Sequence, residues 1–150
     1  MSGVFLDANI YFSASRSPSG GSSLICELIK QKKLTLFATS QVLKEARKNL
    51  GESETAEVNL RFYDLLISIK PKMVKILKSE AQENFGKIIN SKDSLVLEGA
   101  RKAKVKYLVT LDRKDFFNKK IKQANLPFEI ITPGELIRVL AKVPSYHSGT

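Results

Sequence analysis

The stretch that decides the fold is Lys92–Phe116, KDSLVLEGARKAKVKYLVTLDRKDF. Its first half predicts a helix, because one side carries small and apolar residues at helical spacing, namely Leu95, Val96, Gly99, Ala100 and Ala103. Its second half contains Tyr107–Thr110, a short β-rich run typical of a strand that is covered on both faces. Asp112 and Asp115 follow directly. The stretch therefore predicts a helix, a buried strand and an acidic turn in immediate succession.

The acidic turn lies where open parallel sheets bind their ligands. In such sheets the binding crevice lies beyond the carboxyl ends of the strands, and Asp112 follows the end of the predicted strand. The preceding helix runs antiparallel to the strand, so its first turn, which contains Asp93, returns to the same edge. One stretch thus brings at least two carboxylates to one end of a sheet.

Strands and helices alternate through the rest of the chain. Further strands are expected at Val4–Leu6, Leu34–Ala38, Met73–Leu77 and Phe128–Ile131. Further helices are expected at Leu24–Lys32, from Thr39 or Ser40 to Leu50, at Glu54–Ser68, from Ser79 to Phe85, at Phe116–Ala124 and at Leu136–Lys142. This alternation predicts an α/β fold, a three-layer α/β/α sandwich with a mainly parallel, Rossmann-like central sheet.

Local signals define several of the expected helix ends. Ser79 and Gln82 have the spacing of a capping box, and Gly51 to Ser53 are expected to break the chain between two helices. The segment Thr132–Glu135 combines a threonine cap, a proline at the first helical position and a box glutamate. The last helix should therefore begin at Pro133.

Length and composition limit the architecture. With 150 residues, 43% of them hydrophobic, the chain is long enough for one domain, expected over residues 1–143, with a frayed tail over residues 144–150. A single cysteine, Cys26, excludes a disulfide framework and a thiol-based zinc site. Neither a secretory leader nor an apolar run of membrane-spanning length is present, so we expect a cytoplasmic protein without membrane association.

The charge of the chain is strongly basic and unevenly distributed. The formal net charge is +10, which favours a polyanionic partner such as nucleic acid. Residues 101–122 hold nine Lys and Arg against two Asp. The simpler interpretation is a solvated helical face. The alternative is a phosphate-binding rim around the acids, formed by Arg101, Lys102, Arg113, Lys114, Lys119 and Lys120.

Four acids from distant parts of the chain are expected to converge. Asp7 follows the first strand as Asp112 follows a later one, while Glu45 and Asp93 lie in early turns of helices that run antiparallel to the strands. Such a cluster is costly without a cation, and Mg²⁺ or Mn²⁺ suits an all-carboxylate site. Taken singly, Asp93 could serve the helix dipole, Asp7 could be a turn residue, and Glu45 could be a solvated helix acid. Glu98, opposite the apolar side of its helix, is expected on the surface.

The same residues resemble the PIN domain family, which includes the VapC-type toxin ribonucleases. The resemblance rests on FLDAN at Phe5–Asn9, on LKEAR around Glu45, on Lys92–Phe116 and on the order of elements. It implies a metal-dependent endoribonuclease with Asp7, Glu45, Asp93 and Asp112 as catalytic acids. It also implies Asp115 as an additional metal ligand beside Asp7, Asp93 and Asp112, and Asn9 and Thr110 as polar support.

The resemblance further implies an RNA substrate, a homo-oligomer and, for a toxin, an antitoxin protein. Hydrolysis by one or two Mg²⁺ or Mn²⁺ ions needs no histidine, and His147 is given no role. A phosphotransfer domain of the HAD type is disfavoured because Asn9 stands where its second acid would be, and a receiver domain is disfavoured because no middle strand ends in an aspartate. A non-catalytic PIN-like RNA-binding or scaffold module stays open.

Overall fold

Five short strands form one parallel sheet in the computed structural model, which describes residues 1–142 apart from the side chains of residues 52 and 53. The strands are β1 Ser2–Leu6, β2 Leu34–Ala38, β3 Lys72–Met73, β4 Tyr107–Val109 and β5 Glu129–Ile131. Their spatial order is β3-β2-β1-β4-β5, and each pair is parallel. The expected α/β/α sandwich with a mainly parallel sheet is confirmed.

Helices connect the strands and flank the sheet. They are α1 Ala8–Arg16, α2 Gly21–Lys30, α3 Ser40–Ser53, α4 Ala56–Ile69, α5 Lys78–Phe85, α6 Ser91–Ala103, α7 Arg113–Phe116, α8 Lys119–Gln123 and α9 Pro133–Ala141. Helix α1 packs against α2, α3 and α4, whereas α6 packs against β1, β2, β4 and α5. None of the helices among these residues is both long enough and apolar enough to span a membrane.

The centre of the sheet is apolar, and its register aligns the ends of β1 and β4. Val4, Phe5 and Leu6 are fully buried, as expected for a strand that is covered on both faces. Leu6 lies opposite Val109, and the backbone N–H of Asp7 donates to the carbonyl oxygen of Val109 at 3.0 Å. The residues after the two strands are therefore neighbours.

Helix α6 approaches the sheet very closely at Gly99. A Cβ atom at this position would lie 2.6 Å from the ring of Phe5 and 3.1 Å from Cγ2 of Thr39. A glycine is therefore required by the close approach of the helix to β1. This contact fixes the height of α6, and hence of its first turn, above the sheet.

Several expected boundaries are corrected. The segment Met73–Leu77 is largely not a strand, because β3 contains only Lys72 and Met73. Residues 51 to 53 do not break the chain, since α3 continues to Ser53. The helix expected at Phe116–Ala124 is two helices, because Asn118 caps a new one with a bond from the N–H of Ile121.

Two cap predictions had opposite outcomes. Thr132 and Glu135 form the expected capping box, with Pro133 in the first turn of α9. The box expected at Ser79 and Gln82 is absent, because α5 begins after Leu77 and its N-cap makes no side-chain hydrogen bond. The expected tail, residues 144–150 with His147, lies outside the described residues.

The expectation for Glu98 was wrong. Its side chain is fully buried, and its carboxylate accepts bonds from Arg101 at 2.9 and 2.7 Å and from Asn84 at 2.9 Å. Helix α5 packs over the side of α6 that sequence periodicity assigns to solvent. The arginine hydrogen bond holds the pKa of Glu98 below its usual value, which keeps the buried carboxylate charged.

Candidate functional site: an acidic cluster at the carboxyl edge

Asp7 lies in the turn between β1 and α1 and is almost completely buried. Its Oδ1 accepts from the N–H of Ala8 at 2.7 Å, and its Oδ2 accepts from the Thr110 hydroxyl at 2.8 Å. Burial raises the pKa of Asp7 to about 6, against the opposing effect of these bonds and with a further rise from Asp93 and Asp112. The carboxylate is thus held in one orientation at an electrostatic cost.

Asn9 and Thr110, the residues expected as polar support, connect the two loops that carry the acids. Asn9 Nδ2 donates to Asp7 Oδ2 and to Thr110 Oγ1, both at 3.2 Å, and Asn9 Oδ1 accepts from the N–H of Leu111 at 3.1 Å. Thr110 Oγ1 also accepts from the N–H of Asp112 at 3.1 Å. These bonds tie the turn after β1 to the turn after β4.

Asp93 stands in the first turn of α6, which Asn90 caps. Asn90 Oδ1 accepts from the N–H of Asp93 at 2.8 Å, while Asn90 Nδ2 donates to Asp93 Oδ2 at 2.8 Å. The pKa of Asp93 is raised, first by desolvation and then by the charges of Asp115 and Asp112, although the Asn90 bond opposes the rise. Sequence reasoning missed Asn90, whose signal was an N-cap residue three positions before Asp93.

Asp112 and Asp115 complete a compact group with Asp93. Asp112 caps the short helix α7, and its Oδ1 accepts from the N–H of Asp115 at 3.0 Å. One carboxylate oxygen of each of the three acids lies within 4.8 Å of the others, and all three side chains are half-buried. Asp7 interacts electrostatically with Asp93 and Asp112 but is not part of this group.

The group fits a hard divalent ion. Two ligands on opposite sides of an octahedral Mg²⁺ are about 4.2 Å apart, since each lies about 2.1 Å from the ion. The oxygens of Asp93, Asp112 and Asp115 fall within a comparable distance, and carboxylates are the ligands that Mg²⁺ and Mn²⁺ prefer. A bound cation would also offset the charges that raise the pKa of Asp93.

Glu45 reaches the same region but is bound to a lysine. It lines a small cavity of about 80 Å³ together with Asp7, Lys92 and Asp93. Lys92 Nζ lies 2.7 Å from Glu45 Oε2, and this contact lowers the pKa of Glu45 and raises that of Lys92. The structure therefore places Glu45 beside Asp7 and Asp93, but outside the group formed with Asp112 and Asp115.

The six basic residues expected around the acids fall into two sets. Arg101 and Lys102 lie at the far end of α6, about 12 Å along the helix axis from Asp93 at 1.5 Å per residue. They are engaged by Glu98 and by Glu80, the latter at 3.7 Å. Arg113 and Lys114 directly follow Asp112 in α7, and Lys119 and Lys120 begin α8. We call these last four residues the basic rim.

Sequence comparison identifies the family. The family described as the PIN domain matches residues 3–114, which is more than half of the chain. The match includes Asp7, Glu45, Asp93 and Asp112 and ends one residue before Asp115. No curated protein matches this sequence at a significant level.

Structural comparison agrees with the family match. A chain of VapBC2 from Rickettsia felis, bound to a DNA fragment from their promoter, aligns with a TM-score of 0.64 and 21% identity, covering 87% of this chain and 98% of the other. FitAcB from Neisseria gonorrhoeae aligns with a TM-score of 0.55 and 13% identity at the same coverage. At these identities the alignments show a shared fold. With the sequence match, they establish that the chain belongs to the PIN domain family.

Proposed function

We propose that the protein is an endoribonuclease that hydrolyses phosphodiester bonds of RNA with Mg²⁺ or Mn²⁺. The observation that carries the proposal is the half-buried group of Asp93, Asp112 and Asp115, whose oxygens lie within 4.8 Å of one another at the carboxyl edge of the sheet. Membership of the PIN domain family supports the same reaction, since the family resemblance implies metal-dependent nucleases.

Each part of the site has a role in this proposal. Asp93, Asp112 and Asp115 would hold the ion, with Asp7 nearby in the turn after β1. A bound Mg²⁺ or Mn²⁺ lowers the pKa of an attacking water and offsets the negative charge that develops at phosphorus. Asn9 and Thr110 keep the Asp7 carboxylate in place through the bonds described above. The basic rim binds phosphates on either side of the cleaved bond.

We extend the proposal to a protein partner. The resemblance to VapC-type toxins implies a small antitoxin that binds and inhibits the nuclease, and the two solved relatives are VapBC2 and FitAcB. A homo-oligomer is proposed on the same ground. The competing proposal is a non-catalytic PIN-like module that binds RNA without cleaving it.

The test is the substitution Asp112→Asn. Asparagine keeps an oxygen that can cap α7 but removes the negative charge, so the fold should survive while metal binding is lost. We expect the rate of cleavage of a single-stranded RNA in Mn²⁺ to fall by more than about a hundredfold. Mutation of residues that only orient metal ligands already lowers metal affinity or activity about 10- to 100-fold. Mn²⁺ should raise the melting temperature of the wild type and not of the variant.

The matched control is Asp64→Asn, which removes an exposed aspartate of α4 from outside the acidic cluster. It should retain full activity and the Mn²⁺-dependent rise in melting temperature. Wild-type turnover by Asp112→Asn would contradict the assignment. RNA binding by the wild type without cleavage in Mn²⁺ would instead favour the non-catalytic module.

A further inference from the structure

The cavity beside the acidic group contains a positive charge of its own. Asp7, Asp93, Glu45 of α3 and Lys92 of α6 line this cavity, and Lys92 pairs with Glu45. The Lys92 ammonium thus connects the first turn of α6 to α3. Its electrostatic partners are Glu45, Asp93 and Asp7, all of which favour its charged form.

The position of Lys92 in its helix is unfavourable by itself. It lies in the first turn of α6, where the helix dipole favours negative side chains and disfavours a cation. The neighbouring Asp93 obeys this preference and Lys92 does not. A residue that is locally unfavourable is expected where a functional site requires it. Here the negative charges of Glu45, Asp7 and Asp93 require a nearby positive charge.

The acids of the site therefore divide into two halves. Asp93, Asp112 and Asp115 have the geometry for a divalent ion, and we call this the metal half. Glu45, Asp7 and Lys92 line the adjacent cavity, which Asp93 also lines, and we call Glu45 and Asp7 with Lys92 the lysine half. Glu45, which could serve as a ligand for a second ion, already has its charge matched at 2.7 Å.

Lys92 is also accessible to a substrate. Its side chain is 67% exposed, whereas that of Glu45 is 28% exposed. A salt bridge of this exposure contributes little to stability, so breaking it costs little. A phosphate that enters the site can therefore take over the ammonium from Glu45.

We propose that Lys92 occupies the place of a second metal ion, so that the site binds one divalent ion in the metal half. Lys92 then supplies the second positive charge at the scissile phosphate, a role that lysine and metal ions share in phosphoryl-transfer sites. The role of Lys92 in the reaction rests on the proposed nuclease function, but the number of bound ions can be measured independently of activity.

The experiment counts Mn²⁺ ions per chain by isothermal titration calorimetry and by electron paramagnetic resonance of free Mn²⁺. We expect one ion for the wild type and for Lys92→Arg, which keeps the charge. Lys92→Met retains the apolar stem but removes the cation paired with Glu45 beside Asp7 and Asp93, and only the neutral Asn49 bond and the more distant Lys48 charge then act on Glu45, so the variant should bind two ions. The double variant Lys92→Met with Glu45→Gln should return to one.

Lys30→Met is the matched control. Lys30 also pairs with a glutamate, Glu27 at 3.9 Å, but on α2 and away from the acids. This variant should bind one ion, as the wild type does. Two ions in the wild type, or one ion of unchanged affinity in Lys92→Met, would overturn the inference.

The Mn²⁺ dependence of RNA cleavage gives a second readout. It should be hyperbolic in the wild type and steeper in Lys92→Met, because the variant requires two ions. If the wild type binds one ion, Lys92→Met binds two and neither cleaves RNA, the proposed nuclease function fails while the assignment of Lys92 is supported. A wild type that binds no Mn²⁺ contradicts both.

Discussion

Asp7 shows how a single residue is held in a state that the protein alone disfavours. The residue is 7% exposed, and burial outweighs the hydrogen bonds from Thr110 and Ala8, so that its pKa rises from 3.8 to about 6. A negative charge at this position is useful only if a cation compensates for it. The network of Asn9 and Thr110 fixes the orientation of Asp7 but cannot remove the cost of its charge.

The metal-free protein should therefore lose stability as Asp7 ionises. Because the pKa is raised on folding, the stabilisation is complete below about pH 3.8 and is lost as the pH rises through about 6. A shift of about two units corresponds to about 3 kcal/mol. Asp7→Asn lacks this titration. The free energy of unfolding of Asp7→Asn minus that of the wild type should therefore increase by up to about 3 kcal/mol between pH 4 and pH 7.

The measurement is urea unfolding in the presence of a chelator across this pH range. Asparagine keeps the shape of the side chain and can still accept from the N–H of Ala8, so the variant should fold, although its amide nitrogen replaces the Oδ2 that accepts from Thr110 and Asn9. Groups outside the acidic cluster titrate equally in both proteins and cancel in the difference, whereas the groups coupled to Asp7 contribute to it. A difference that does not change with pH would show that Asp7 is not buried as a charged group. In saturating Mn²⁺ the wild type should instead be more stable than Asp7→Asn.

The residues that sequence alone could place are those fixed by strand ends. Asp7 and Asp112 follow β1 and β4, and Asp93 lies one helix earlier, so the topology of a parallel sheet brings them to one edge. The partners of Glu45 and Glu98 were not predictable in this way. Their contacts with Lys92 and Arg101 depend on side-chain packing between or along helices, which periodicity does not describe.

At the scale of elements, α6 positions the site. It carries Asp93 in its first turn and lies on β1 through Gly99, so the height of the helix determines the distance between Asp93 and the acids after β4. Side chains in a close-packed interior transmit such displacements, because there is little free volume to absorb them.

Gly99→Ala should therefore affect both stability and the site. The added methyl group would lie 2.6 Å from the Phe5 ring, which is fully buried, so the helix or the ring must move. Overpacking of this kind costs about 1–3 kcal/mol. We expect a lower free energy of unfolding together with weaker Mn²⁺ binding, measured by urea unfolding and by calorimetry.

Gly51→Ala is the matched control. Gly51 also lies in a helix, α3, but a Cβ atom there has no neighbour within 4 Å. Alanine should stabilise the protein by up to about 1 kcal/mol through helix propensity and leave Mn²⁺ binding unchanged. If Gly99→Ala behaves like Gly51→Ala, the close approach of α6 to β1 is not what holds Asp93 in position.

Element prediction succeeded where signals were local and failed where they were tertiary. Thr132 and Glu135 form their box because both partners lie within one turn. Helix α1 was missed because its polar residues resemble a loop, although Ile10, Tyr11 and Ala14 are buried at helical spacing. The outer side of α6 was assigned to solvent because the position of α5 depends on long-range packing that no local pattern records.

At the scale of the whole molecule, the question is whether the net charge of +10 acts globally or through the basic rim. The rim residues lie on α7, directly after Asp112, and at the start of α8, whereas Arg101 and Lys102 are engaged by Glu98 and Glu80 at the far end of α6. Long-range attraction by net charge is screened within about 8 Å at physiological salt. Direct phosphate contacts instead appear as counterion release.

Neutralising Arg113 and Lys114 together, as Arg113→Gln with Lys114→Gln, should weaken RNA binding with little sequence preference. Each lost contact to a single strand should reduce the slope of log affinity against log salt by about 0.7, so the pair should reduce it by about 1.4. The measurement is fluorescence anisotropy of a labelled RNA over a range of salt concentrations, without divalent metal so that no cleavage occurs.

The control removes the same charge at the opposite edge of the sheet. Lys30 ends α2 and Lys33 precedes β2, so both lie near the amino ends of the strands. Lys30→Gln with Lys33→Gln lowers the net charge equally but should leave the salt slope unchanged. Equal effects of the two double variants would mean that net charge alone attracts RNA. Wild-type slopes in both would mean that the rim is a solvated face and binds no phosphate.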